Sequence, residues 1–319
     1  MSHFTVLVIG NDVDGQLAPY AEQGFDEQYG VFDNKEAECR AEYETDTIDV
    51  VDIDGQLYSQ YDEQFRDRTN FMSNERKYPE GSVLKTVPMK EFYGDFESFL
   101  SDYHGFSEPD EKTGQYGYWS NPNAKWDWYT IGGRWTGYFK PKTGTAGALG
   151  KPGAFDNQPR QGWVDQIKYG DVDFVGMKAD AAKKANETFD VVETIVQGRD
   201  IPSWTEIRER HGDKIDNARD EYHNNPVVKA FKDANFDSFF IDLHDEYGHG
   251  REAYVNKCVS RVAVSYSILI DGKWYQKGEM GWFGMSSGDV TQEQWNDEFW
   301  KLLDGLDNDT LLTLVDCHI

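Results

Sequence analysis

Hydrophobic and polar positions are most clearly patterned near the two ends of the chain. Phe4 to Ile9 is a short run rich in β-branched residues, closed by Gly10-Asn11-Asp12, the pattern of a buried strand that ends in a turn. A short helix is expected over Asp14 to Gln23. Toward the other end, Arg261 to Ile270 and Lys273 to Lys277 flank Asp271-Gly272, a dipeptide that tolerates the positive φ angles of a two-residue hairpin turn. Thr291-Gln292-Glu293-Gln294 has the spacing of a capping box, in which hydroxyl and amide side chains satisfy two orphan backbone donors, so a helix starts there. Trp295, Phe299, Leu302, Leu303 and Leu306 recur at helical spacing and give that helix one apolar face. Leu311 to Ile319 reads as a closing strand.

The resulting order is strand, helix, a long interval, then strand, strand, helix, strand. This is the order of a ferredoxin-like split βαβ unit. The expected fold class is therefore α+β, with residues 1–23 and 256–319 forming the core and 24–255 a long inserted α+β region. In that topology the first and last strands are antiparallel neighbours, which places His3 beside His318. The insertion is uneven: an acidic stretch at 24–65, an aromatic block at 115–139, and a Gly/Lys-rich segment from Lys142 to Gly153 expected to be a mobile loop. A helix is expected over Ser203 to Tyr222, between Pro202 and Asn224-Asn225-Pro226.

Charge sharpens this picture. The chain is 28% charged and 38% hydrophobic, with 10 Trp, 18 Tyr and 19 Phe, a polar surface combined with many aromatic anchors. The net charge is −26, and residues 1–65 hold 16 Asp/Glu against 2 Lys/Arg. Such a surface repels nucleic acid and anionic membrane, so no direct nucleic-acid binding is expected there. It serves either as a solubilising face or as an imitation of DNA that docks on a basic partner. Cys39, Cys258 and Cys317 are odd in number and far apart, as in a reducing compartment. The N-terminal apolar run is strand-sized and has neither a basic leader nor a cleavage site, which predicts no signal peptide. No run reaches the roughly 20 apolar residues of a membrane span.

Two segments carry candidate chemistry. In the block Asn121 to Phe139, Lys125, Trp126, Asp127, Trp128, Tyr129, Gly132, Gly133, Arg134 and Trp135 combine charge, aromatic faces and a glycine pair. Glycines let backbone N–H groups approach an anion, a guanidinium binds phosphate bidentately, and indole rings stack on a base. A phosphorylated or nucleotide-like ligand suits these residues. The ordinary alternative is a strand with aromatics on both faces and an internal Arg134–Asp127 pair. The second segment joins the two ends: Asp316 and His318 share a face of the last strand, and with His3 from the neighbouring strand they could hold a divalent metal. Surface or hydrogen-bonded histidines are the plain reading of the same residues. His244-Asp-Glu-Tyr-Gly-His249 lacks the residue order of a zinc-protease helix, and on an α-helix its second histidine falls off the face of the first, so a loop is expected there.

The opening Met-Ser-His-Phe-Thr-Val-Leu-Val-Ile-Gly, the block Asn121 to Trp135, the segment Gly278-Glu-Met-Gly-Trp-Phe-Gly284 and the ending Val315-Asp-Cys-His-Ile319 together resemble a family of uncharacterised proteins from tailed bacteriophages and some bacteria. The resemblance brings no activity. It implies a phage accessory protein made in the bacterial host cytoplasm, of the kind that blunts host defence. Three functions stay open. The first is an anti-defence protein that binds a phosphorylated small molecule, and the second a metal-assisted phosphate-ester hydrolase using His3, Asp316 and His318. The third is an acidic, DNA-mimic-like inhibitor of a host defence protein.

Overall fold

The run that opens the chain forms a central strand, His3–Ile9, in the computed structural model of this protein, which describes residues 2–67, 75–152, 158–236, 242–281 and 285–319. The fold is a mixed α+β arrangement in two units, Met1–Glu22 with Asn123–Ile319, and Gln23–Pro122.

The larger unit is built on a seven-stranded mixed sheet. Its order is Lys273–Gln276, Ser267–Ile270, His3–Ile9, Leu311–His318, Trp128–Gly133 and Lys151–Pro152, and Gln166–Lys168 also pairs with Leu311–His318. First and last strands are antiparallel with His3 opposite His318 and Ile9 opposite Leu312, the register expected of the chain ends. Ser2 and Ile319 extend the ladder by exchanging backbone hydrogen bonds of 2.8 and 3.0 Å.

The Asp271-Gly272 hairpin forms as expected, both residues at positive φ (51° and 70°), but it enters the sheet the other way round from a ferredoxin-like unit. There, the second arm of the hairpin would lie beside the first strand. Here the first arm does, with Val6 to Ile9 parallel to Ser267 to Ile270, and Lys273–Gln276 forms the edge. Side-chain character accounts for the choice: Ser267, Ile268 and Leu269 are buried, whereas Lys-Trp-Tyr-Gln is amphipathic and stays half-exposed. The sheet is also wider than the two ends alone provide, because Trp128–Gly133, Lys151–Pro152 and Gln166–Lys168 extend it on the far side of the last strand.

Both faces of the sheet are covered. On one, Leu7, Ile9, Ile268, Leu312 and Leu314 meet Trp295, Phe299 and Leu303 of the helix Gln292–Leu303. Burial of each of these three helix side chains is worth about 1.5–3 kcal/mol. The indole of Trp295 donates to the Ser265 carbonyl at 2.8 Å, and the capping box closes with Gln294 N–H to Thr291 Oγ1 at 3.2 Å and Thr291 N–H to Gln294 Oε1 at 3.0 Å. On the other face, Val13 and Leu17 of the short helix Val13–Leu17 pack on Phe4, Val6, Val8, Leu269, Val315 and Cys317.

The helix expected over Ser203 to Tyr222 is two helices, Trp204–His211 and Ile215–Asn224. They are separated at Gly212, whose φ of 55° an α-helix does not accommodate. With Pro226–Asp233 they bury Ile207, Ala218, Val228 and Phe231 around Phe189 and Val192 of the long helix Phe174–Val196. In the segment expected to be a mobile loop, Lys151–Pro152 pairs in parallel with Gly132–Gly133, and Gly153 lies outside the described residues.

The smaller unit, Gln23–Pro122, holds the whole of the acidic stretch 24–65. Its three-stranded antiparallel sheet, Gln56–Ser59, Thr47–Ile53 and Val83–Pro88, packs Ile48 and Val50 against Cys39, Tyr43, Phe99 and Leu100 from the helices Glu36–Thr45 and Phe96–Asp102. Asp49 faces outward and accepts a hydrogen bond from Thr86 Oγ1, and Asp52, half-buried near the end of its strand, pairs with Lys85 on the neighbouring strand. Among the described residues no helix is long and apolar enough to cross a membrane.

Candidate functional site

The strand Trp128–Gly133 runs antiparallel to the end of the last strand, Trp128 opposite His318 and Ile131 opposite Val315. Alternation along a strand sends successive side chains to opposite faces, and it divides the aromatic block. Trp126 and Tyr129 pack on the Cys317 face, where the Trp126 indole donates to the Leu17 carbonyl at 3.1 Å and the Tyr129 hydroxyl bonds Asp14. Lys125 is ion-paired with Glu279 at 2.8 Å, which holds the Glu279 carboxyl below its ordinary range. Trp128 lies on the other face, stacked on His318 with ring centroids 4.9 Å apart. Asp127 receives His318 Nδ1 at 2.7 and 2.9 Å. Of the nine residues that the sequence grouped as one ligand site, Arg134 and Trp135 alone line the large cleft described below.

At the end of the sheet, His3 and His318 meet edge to face with centroids 4.8 Å apart. His3 Nδ1 is 2.8 Å from Asp316 Oδ1, and Asp316 Oδ2 accepts the backbone N–H of Arg134 at 2.9 Å. His3, Asp316 and His318 are therefore neighbours, but they form two histidine–carboxylate pairs, His3 with Asp316 and His318 with Asp127. All three are largely buried, so the carboxylate of Asp316 is committed to the ring and the backbone rather than to an open ligand position. The internal pair Asp127–Arg134 of the ordinary alternative is replaced by Asp127–His318.

The glycine pair has a different task from anion binding. Gly132 and Gly133 take φ of 80° and 55°, and a Cβ on them would stand 2.5 Å from Asp165 Oδ2 and 2.3 Å from Asp316 Cβ. Their missing side chains let two buried carboxylates reach the turn. Asp165, fully buried, accepts four hydrogen bonds: from Gly137 N–H at 2.7 Å, Tyr138 N–H at 3.2 Å, Thr136 Oγ1 at 2.9 Å and Gly150 N–H at 2.8 Å. A carboxylate is the acceptor-only side chain suited to such a set of donors. Asp165 and Asp316 thus fix the segment Arg134–Tyr138, although nothing in the local sequence around Asp165 distinguishes it from an ordinary polar strand residue.

That segment is one wall of a cleft of about 970 Å³. The opposing walls are the helices Phe174–Val196 and Arg251–Ser260 with the turn that follows, and Thr5 of the first strand reaches its floor beside Asp316. Among the described residues four cationic side chains line it, Arg134, Arg160, Lys184 and Arg261, all exposed, against one carboxylate, Asp180, which is ion-paired with Lys140 at 2.6 Å. Among the described residues Arg160, Lys184 and Arg261 have no carboxylate within ion-pairing distance, and Arg160 lies 4.4 Å over the Trp163 ring. Trp135, Tyr138, Trp163 and Tyr254 supply aromatic surface, and burial pushes the Tyr138 phenol up, which keeps it protonated.

The three cysteines differ in access. Cys258 lines the cleft, whereas Cys39 and Cys317 are buried. Burial pushes both buried thiols up, Cys317 further so beside Asp316 and Asp127, and Cys39 beside Glu42 and Glu38. Iodoacetamide at about pH 8 is expected to alkylate Cys258 first and to reach Cys39 and Cys317 only after denaturation, read by peptide mass spectrometry. Early labelling of Cys317 would contradict the packing of the sheet.

In comparisons with protein-family models, curated proteins and solved structures, the chain matches none, so the cleft and the paired histidines are the features from which function must be argued.

Proposed function

We propose that the protein binds a phosphorylated small molecule of nucleotide-like chemistry in the cleft walled by Arg134–Tyr138. One observation carries this reading: in a chain of net charge −26, the described lining of the cleft holds three cations with no ion-pair partner among the described residues, Arg160, Lys184 and Arg261, against one carboxylate, Asp180, that is already paired. Cations gathered in a concave site raise the local concentration of an anion, and arginine forks match phosphate oxygens. Trp135, Trp163 and Tyr254 offer faces on which a base can stack. The volume fits a ligand of nucleotide or dinucleotide size. Within the setting implied by the phage resemblance, the bound molecule would be a phosphorylated signal of host defence, and binding would withdraw it from its receptor.

Isothermal calorimetry against nucleoside mono-, di- and triphosphates, cyclic dinucleotides and ADP-ribose is the test. At least one class is expected to bind with an affinity that falls as salt rises. Lys184→Glu and Arg261→Glu are each expected to weaken binding by about tenfold or more, since a charge-assisted hydrogen bond is worth about 1.5–3 kcal/mol. Both side chains are exposed, so the variants should fold. A silent panel, or affinity unchanged in both variants, would remove the proposal.

A further inference from the structure

His244-Asp-Glu-Tyr-Gly-His249 fails as an α-helical metal motif because its histidines are five residues apart. The structure changes the ruler. His244–Gly248 is a single π-helical turn, wound more loosely than an α-helix, and just past it His249 comes back to His244, the ring centroids 5.1 Å apart. Ligand atoms of His244, Asp245 and His249 all fall within 4.8 Å of one another.

The backbone is built to hold them. Leu243 and Tyr247 are buried in the helical core and anchor the turn from within, while Asp242 Oδ1 accepts His244 N–H at 2.9 Å. A Cβ on Gly248 would come within 2.6 Å of the His244 ring, so glycine is what allows that ring its position. Glu246 is occupied by Lys257 at 2.6 Å, which leaves Asp245 as the carboxylate turned to the histidines, its Oδ1 3.8 Å from His244 Nδ1.

We infer that His244, Asp245 and His249 bind a divalent transition ion of the zinc class, with water completing the coordination. Two imidazoles and one carboxylate form a donor set that zinc, cobalt and nickel accept. Metal–nitrogen distances of about 2.0–2.1 Å require the cluster to close by roughly an ångström, which rotation of these incompletely buried side chains supplies. The ion would pin the π turn to His249, the residue that ends it and immediately precedes Gly250, the N-cap of the helix Arg251–Ser260, two of whose side chains, Tyr254 and Cys258, line the cleft. Its role is structural and does not depend on which ligand the cleft takes.

Cobalt(II) titration of the full chain is expected to give visible d–d absorption that saturates at one equivalent, and zinc to displace it. His249→Gln and His244→Ala are each expected to weaken cobalt binding by more than about tenfold, with near-UV circular dichroism unchanged. His3→Asn is expected to leave it intact. No saturable signal, a signal that survives in the His244→Ala/His249→Gln double variant, or one lost instead in His3→Asn would overturn the assignment.

Discussion

Asp165→Ala is expected to lower stability by about 3–5 kcal/mol, the largest effect of any single substitution considered for this protein. Its carboxylate is fully buried and is the shared acceptor of three backbone N–H groups and one hydroxyl. Truncation leaves the buried N–H of Gly137 and the part-buried N–H groups of Tyr138 and Gly150 without that partner, an uncompensated desolvation of about 1–3 kcal/mol for the first and less for each of the others. Asp165→Asn is a sharper probe because it keeps the shape. Oδ1 serves Gly137 and Tyr138 and Oδ2 serves Thr136 and Gly150, so an amide nitrogen at either position faces at least one N–H that cannot rotate away. The Asn variant should therefore also lose stability in urea unfolding, by less than Ala, and should bind anions more weakly because the cleft wall is loosened. Wild-type stability in Asp165→Asn would show that the donors find other partners.

Gly133→Ala is expected to cost about 2–4 kcal/mol through two separable causes. The left-handed φ of 55° accounts for roughly 1 kcal/mol for any L-residue. The remainder comes from the added methyl, 2.3 Å from Asp316 Cβ, an atom fixed by the central strand that carries it. Gly144→Ala and Gly162→Ala are the controls: both glycines have positive φ, and a Cβ there meets nothing within 4 Å. They should cost only the backbone share. Equal losses at all three positions, measured by chemical unfolding, would dismiss the close approach of Asp316. The same substitution should disturb the His3–Asp316 pair, visible in the imidazole resonances of His3.

How much of this could be read from residues alone depended on whether the cause was local. The Asp271-Gly272 turn and the Thr291–Gln294 box follow from short-range chemistry and formed as expected, whereas the pairing of the two ends, which is non-local, was legible only through the order of the elements. Which arm of the hairpin joined the first strand did not follow, since it was decided by burial of Ser-Ile-Leu against a sheet that the local sequence does not display. The aromatic block is legible as a strand, and the two-residue alternation along it sends Trp128 and Tyr129 to opposite faces, so its nine residues do not gather at one site. Gly132-Gly133 was visible as a place of close approach, but the approaching groups, Asp165 and Asp316, come from distant segments. The segment His244–His249 reads as a loop because its histidine spacing does not suit an α-helix, whereas His244–Gly248 is a π-helical turn.

The adjacency of His3–Ile9 and Leu311–His318 also governs how the molecule can assemble. Residues 3 and 316, 313 positions apart, must meet before the centre of the larger sheet exists. Equilibrium tolerates this, because each doubling of a closed loop adds only about 0.6 kcal/mol of entropy. Kinetics does not, since non-local pairing slows folding by orders of magnitude relative to local contacts. The unit Gln23–Pro122 and the helices between Phe174 and Asp233 rest on nearer contacts and can form first, shortening the search between the ends. Until that search succeeds, the apolar strand His3–Ile9 has neither of its neighbours, and its unpaired edges are the point at which the folding chain is most open to aggregation.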